Sequence, residues 1–117
     1  MNYAEFFQEI KSKFAGTDVS DIHEHLAFQF NIEDSEAGGI FYVEVKDSQL
    51  HIEPYEYYDR HAIFTASPEV FRKIAEGKVD PVEEFAIHKL KVEGDLDKAL
   101  KLKEIIARTK KERKKRK

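Results

Sequence analysis

Residues Lys89 to Ile106, KLKVEGDLDKALKLKEII, carry two periodicities joined at Gly94-Asp95. The first residues alternate, with Leu90 and Val92 on one side, as in a half-buried strand. From Leu96 the apolar positions recur at helical spacing through Ala99, Leu100, Ile105 and Ile106, with Leu102 at the margin of the stripe. Gly94 permits a sharp turn and Asp95 is a favourable N-cap. A strand that turns straight into an amphipathic helix lays the helix stripe back across the sheet. Nothing in the segment is suited to covalent chemistry. It buries either the protein's own core or something apolar from outside.

Upstream, Ser67-Pro68-Glu69 starts a helix with Ser67 as N-cap and Pro68 in its first turn. Its stripe is Val70, Phe71 and Ile74, and Gly77 ends it. Asp80-Pro81-Val82-Glu83 is a second start with a capping-box pattern, and Val82, Phe85 and Ala86 form its apolar side. A strand from about His61 to Ala66 precedes both. Further back, Leu26, Phe28, Phe30 and Ile32 alternate with Ala27, Gln29 and Asn31. Phe41, Val43 and Val45 alternate with Tyr42, Glu44 and Lys46. Asp47-Ser48 supplies a tight turn into a strand with Leu50 and Ile52. These three strands read as an antiparallel meander with one apolar face. At the start, Tyr3, Phe6, Phe7, Ile10 and Phe14 recur at helical spacing before Gly16. The order is α-β-β-β-β-α-α-β-α. The fold class is therefore α+β in two layers, one curved sheet whose apolar face is covered by helices.

The 117 residues suit one domain, expected over 1–109, and are enough to bury a core. Apolar residues make up 41% and charged residues 37%, which is a soluble composition. No apolar run approaches the length of a membrane span, and no signal-peptide pattern opens the chain. The absence of Cys excludes disulfides and thiolate sites. The expected location is the cytoplasm. Charge is uneven: the last eight residues, KKERKKRK, carry a net +6, whereas the whole chain is −3 and the body therefore −9. The tail, 110–117, is expected to be a disordered, solvated extension. Its functional reading is transient attraction to an anionic membrane. The acidic body argues against nucleic acid as the main partner.

Candidates for chemistry are few. His23 and His25 form HEH, but a zinc site needs three or four ligands, and no spacing brings His51, His61 or Glu24 to them. Glu83-Glu84 and Asp95-Asp97 are first-turn carboxylates facing helix dipoles. No serine sits in a nucleophile elbow, and Gly38-Gly39 is not a phosphate loop. No catalytic residue, metal or cofactor is expected. The tyrosines of PYEYYDR, Pro54 to Arg60, either pack over the sheet end or frame a pocket mouth.

The stretch from Ala62 to Ile106 resembles the sterol carrier protein 2 domain, also called the sterol-transfer family. The resemblance is carried by Thr65 at a strand end, Gly77-Lys78, Pro81 with Phe85, Lys89-Leu90-Lys91-Val92, Gly94-Asp95 and Ala99-Leu100-Lys101-Leu102. The meander over 26–53 fits more loosely, so the likeness spans about residues 3–106. The residue before Lys-Leu-Lys is often Gly in the family and is His88 here, which bears on the local loop geometry.

The resemblance implies a curved five-stranded mixed sheet with helices covering one face, an apolar cavity between sheet and helices that binds a lipid non-covalently, and no catalysis. The face assignments then name its expected lining: Phe28, Phe30, Phe41, Val43, Phe71, Ile74, Phe85, Leu96, Leu100 and Ile105. The expected ligand is a fatty-acyl chain, an acyl-CoA or a sterol-like molecule. The competing expectation is a closed-core interaction module that contacts partners through PYEYYDR or the first helix. Either reading is compatible with a monomer or a homodimer.

Overall fold

The computed structural model describes residues 2–56 and 58–115, with side chains as far as Thr109. Helix α1 (Tyr3–Phe14) begins with a full capping box: Asn2 Oδ1 accepts the Glu5 N–H, and Glu5 Oε1 accepts the Asn2 N–H. Its stripe Phe6, Phe7, Ile10 and Phe14 is buried, and Gly16 turns the chain with φ 80°. Strands β1 (Leu26–Ile32), β2 (Gly39–Lys46) and β3 (Gln49–Glu53) form the expected antiparallel meander. Asp47 and Ser48 both take positive φ between β2 and β3, as a two-residue hairpin turn requires.

Strand β4 (Ala62–Ala66) then pairs parallel to β1 on its free side, with Phe30 opposite Phe64. The five-stranded mixed sheet has the order β3-β2-β1-β4-β5. β1 is its centre and is buried on both faces. Ala27 and Gln29, read as the outward set, are as enclosed as Phe28 and Phe30. The Gln29 amide is satisfied by Asn31 Oδ1 at 2.9 Å.

Helix α2 (Pro68–Ala75) is capped by Ser67 and tied to α1 by Arg72 and Glu9, with Nη2 to Oε1 at 3.1 Å. Between these helices and the sheet lies a phenylalanine core. Phe30 stacks on Phe41 at 4.9 Å and on Phe64 at 5.2 Å, and meets Phe71 edge-on at 5.4 Å.

Three further expectations change. Helix α3 (Pro81–Ala86) turns Pro81 and Glu84 inward and leaves Val82, Phe85 and Ala86 at the surface. Strand β5 (Lys91–Gly94) starts two residues late, because the N–H groups of Lys89 and Leu90 both bond to the Glu84 carbonyl. The last helix is two helices, α4 (Leu96–Ala99) and α5 (Leu102–Lys115). Across the joint, Lys101, Lys103 and Glu104 donate to carbonyls only three residues back. Such tighter winding advances the helical phase. Leu102 therefore joins Ile105 and Ile106 in the core, while Leu96 and Leu100 swing outward. The backbone of α5 is helical to Lys115. The tail's side chains lie outside the described ones, as do residues 116–117 and Tyr57 of PYEYYDR.

Candidate functional site

Asp80 starts one wall of a groove. Its Oδ1 accepts the Val82 N–H at 2.9 Å, and Pro81 at the first helical position completes the entry to α3. At the other end His88 takes φ 63°, the left-handed region that glycine favours. This is the residue at which the chain departs from the family pattern. The turn sends Leu90 into the core and leaves Phe85 facing outward.

Gly94 starts the opposite wall. With φ 107° and no side chain it passes against β4; a Cβ there would meet the His61 carbonyl oxygen at 2.5 Å. The Asp95 N–H bonds to that same oxygen at 2.8 Å. Asp95 Oδ1 then caps α4 through the Lys98 N–H at 3.0 Å. Two short helices, α3 and α4, thus flank β5, one before it and one after it.

Between them lies a groove of about 240 Å³. Phe64 and Val92, cross-strand partners on β4 and β5, form its floor with Leu90. Pro81, Val82 and Phe85 make one side; Leu96, Ala99 and Leu100 make the other. Val82 is 41% exposed, Phe85 45%, Leu96 53% and Leu100 54%. Large apolar side chains left this open and facing a common space signal a binding surface.

Lys103 borders the end of the groove, and its Nζ lies 3.3 Å from Asp80 Oδ2, bridging α5 to the cap of α3. On the far side of α4, Glu24 takes Lys101 Nζ and Lys98 Nζ, each at 2.6 Å. Those hydrogen bonds, Lys101 first, hold the Glu24 carboxyl down at about 2.

The phenylalanine core beside the groove is tightly filled. Beneath α1 and α2 only about 20 Å³ remains, bounded by Phe30, Phe41, Val43, Phe71 and Ile74 among others. That is space for about one water molecule and not for an acyl chain. Two larger surface hollows have mixed walls. One of about 340 Å³ includes Lys11, Thr17, Asp18 and Ser48; one of about 420 Å³ includes Glu33, Glu69, Lys73 and Lys91.

The expected lining residues separate into two sets. Phe28, Phe30, Phe41, Val43, Phe71, Ile74 and Ile105 are buried in the closed core. Phe85, Leu96 and Leu100 come together at the groove. The sequence reading did not place Phe64, Val82, Leu90, Val92 or Lys103 in a site. The one available signal was the clustering of apolar side chains on the two helices that flank β5.

The histidines serve other ends. His25 Nε2 lies 2.7 Å from Glu44 Oε2. His61 Nδ1 accepts the Ala27 N–H at 3.0 Å. Burial pushes the His61 pKa down, and Lys98 and His25 push the same way. Among the described residues no three His, Asp or Glu side chains converge as metal ligands. No described helix is long and apolar enough to cross a membrane.

The sequence profile of the SCP-2 sterol transfer family matches residues 7–107. No curated protein sequence matches the chain. The fold is similar to the solution structure of palmitated SCP2L2 from Aedes aegypti, with a TM-score of 0.64 and 22% identity over 91% of this chain and 95% of that one. It is similar to apo sterol carrier protein 2 from Yarrowia lipolytica, with a TM-score of 0.57 and 20% identity over 92% and 78%. It is also similar to part of a stereoselective inverting sec-alkylsulfatase from Pseudomonas sp., with a TM-score of 0.59 and 15% identity over 82% of this chain but 13% of that enzyme.

Proposed function

The chain belongs to the SCP-2 sterol transfer family, a family of lipid-binding and lipid-transfer domains, and from that premise we propose that it is a non-catalytic carrier of one fatty-acyl chain held in the groove between α3 and α4. The observation that carries this reading is the facing set of half-exposed Val82, Phe85, Leu96 and Leu100. Covering that surface with hydrocarbon gains about 25 cal/mol per Å², or roughly 0.8 kcal/mol per buried methylene. The palmitated state of the similar Aedes aegypti protein supports an acyl ligand. A groove of about 240 Å³ lies just under the ~300–1,000 Å³ of drug-sized sites. That favours a single chain over the fused rings of a sterol or the whole of an acyl-CoA. The basic tail adds attraction to anionic membranes, where each Lys or Arg contributes about 1 kcal/mol near the surface.

Native mass spectrometry of delipidated protein incubated with fatty acid, acyl-CoA and sterol tests the proposal. One bound acyl chain per protein is expected. A mass unchanged by all three ligands would remove the carrier reading.

The sealed phenylalanine core supports a second reading, a closed-core interaction module. The same apolar patch, extended by exposed Ile87, would then be covered by another protein or a second copy. Concentration-dependent dimers in sedimentation velocity, together with no lipid uptake, would favour it.

A further inference from the structure

We propose that Lys103 is the headgroup site of this groove, and that Asp80 occupies it until a ligand's anionic head takes its place. The inference rests on the carrier reading and adds the ligand's chemical class, a single-chain amphiphile with one anionic head. The groove walls are hydrocarbon, so a ligand's polar end has to find its partner at the rim. Among the described residues Lys103 is the only charged side chain lining the groove, and no acidic residue lines it. A neutral head gains nothing there beyond what water offers. An anionic head gains a charge-assisted hydrogen bond.

The neighbouring charges restrict the choice to this lysine. Lys98 and Lys101 are held by Glu24 at 2.6 Å each. Lys103 is held more loosely, at 3.3 Å from Asp80 Oδ2, and half of its side chain is exposed. Such an open pair is weak and easily exchanged. Asp80 is also tied down, because its Oδ1 caps α3 through the Val82 N–H. When the pair opens, the long lysine stem moves and the cap stays. The ammonium then turns from the α3 cap to the ligand head while its methylenes continue the apolar wall. Carboxylates and sulfate monoesters share this chemistry.

Titration calorimetry of the delipidated full chain with decanoate, decyl sulfate and decanol, all below their aggregation limits, tests the site. The wild type is expected to bind the two anions about tenfold more tightly than decanol, the worth of one charge-assisted hydrogen bond. Lys103→Ala should bring the anions down to the affinity of decanol and leave decanol unchanged. Asp80→Asn keeps a capping oxygen and removes the competing charge, so it should tighten the anions alone. Decanoate bound more tightly than decyl sulfate would identify a carboxylate site; equal affinities would identify a general anion site. Equal binding of decanol and decanoate by the wild type, or an anion preference that survives Lys103→Ala, overturns the headgroup site and leaves the groove standing. If decanol also fails to bind, both the groove reading and this inference fall.

Discussion

The carbonyl oxygen of His61 accepts the Asp95 N–H at 2.8 Å, fastening the residue before β4 to the N-cap of α4. Gly94 makes the approach feasible. An alanine Cβ would sit 2.5 Å from that oxygen, at φ 107°. Gly94→Ala is therefore expected to cost about 1–3 kcal/mol from backbone strain alone, read as a fall in the thermal midpoint. A midpoint equal to wild type would mean that the β5–α4 turn is not held here.

The opposite change is expected at His88, whose φ is 63°. A left-handed non-glycine residue costs roughly 1–2 kcal/mol, and glycine gives back about 0.5–1 kcal/mol in chain entropy. His88→Gly should therefore raise the thermal midpoint by a small, measurable amount. A fall would show that the imidazole contributes more than the strain removes.

Core and groove should respond separately. Phe30→Ala empties the centre of the stack with Phe41 and Phe64 and should cost about 3–5 kcal/mol in urea unfolding. Leu100→Glu changes a half-exposed groove wall. It should leave the unfolding midpoint within about 0.5 kcal/mol of wild type and abolish acyl binding. Retained binding in Leu100→Glu would place the ligand elsewhere.

Acid should loosen the α4 anchor. The Glu24 carboxyl falls from an ordinary 4.5 to about 2 through its hydrogen bonds to Lys101 and Lys98. A depressed carboxylate contributes fully above the unfolded value and loses its contribution as pH falls through the folded one. The stability difference between wild type and Glu24→Gln should thus be constant above pH 4.5 and shrink toward pH 2. Because the group is exposed, the difference should also shrink in high salt.

His61 gives a second pH window. Its folded pKa lies below the ordinary 6.5, through burial first and then Lys98 and His25, with Asp95 and Glu24 opposing. Neutral Nδ1 is the acceptor of the Ala27 N–H. The unfolded chain takes up this proton first, so stability should begin to fall as pH drops through 6.5. His61→Asn, which retains a side-chain acceptor, should remove that part of the slope. An NMR titration of His61 placing its pKa above 6.5 would contradict the assignment.

Local codes, read correctly, give most of the fold. The period of two in 26–53, the caps Ser67, Asp80 and Asp95, the Asp47-Ser48 turn and the stop at Gly16 depend on residues within a few positions of one another. Physical chemistry at that range is legible without coordinates. Resemblance of Ala62 to Ile106 to a known domain then indicated how the pieces assemble.

By itself the sequence determined that the fold is α+β with a phenylalanine-rich core, and that its family binds lipids. Only the tertiary structure decided where hydrocarbon remains uncovered. Phe30 and Phe85 are the same residue type on equally apolar faces, yet one is sealed between Phe41 and Phe64 and the other stands over an open groove. The difference arises from the overwound joint before Leu102, the inward turn of Glu84 and the reversal at His88. Burial is a property of how these elements then pack against the rest of the sheet and helices, whereas periodicity reports only which side of an element is apolar.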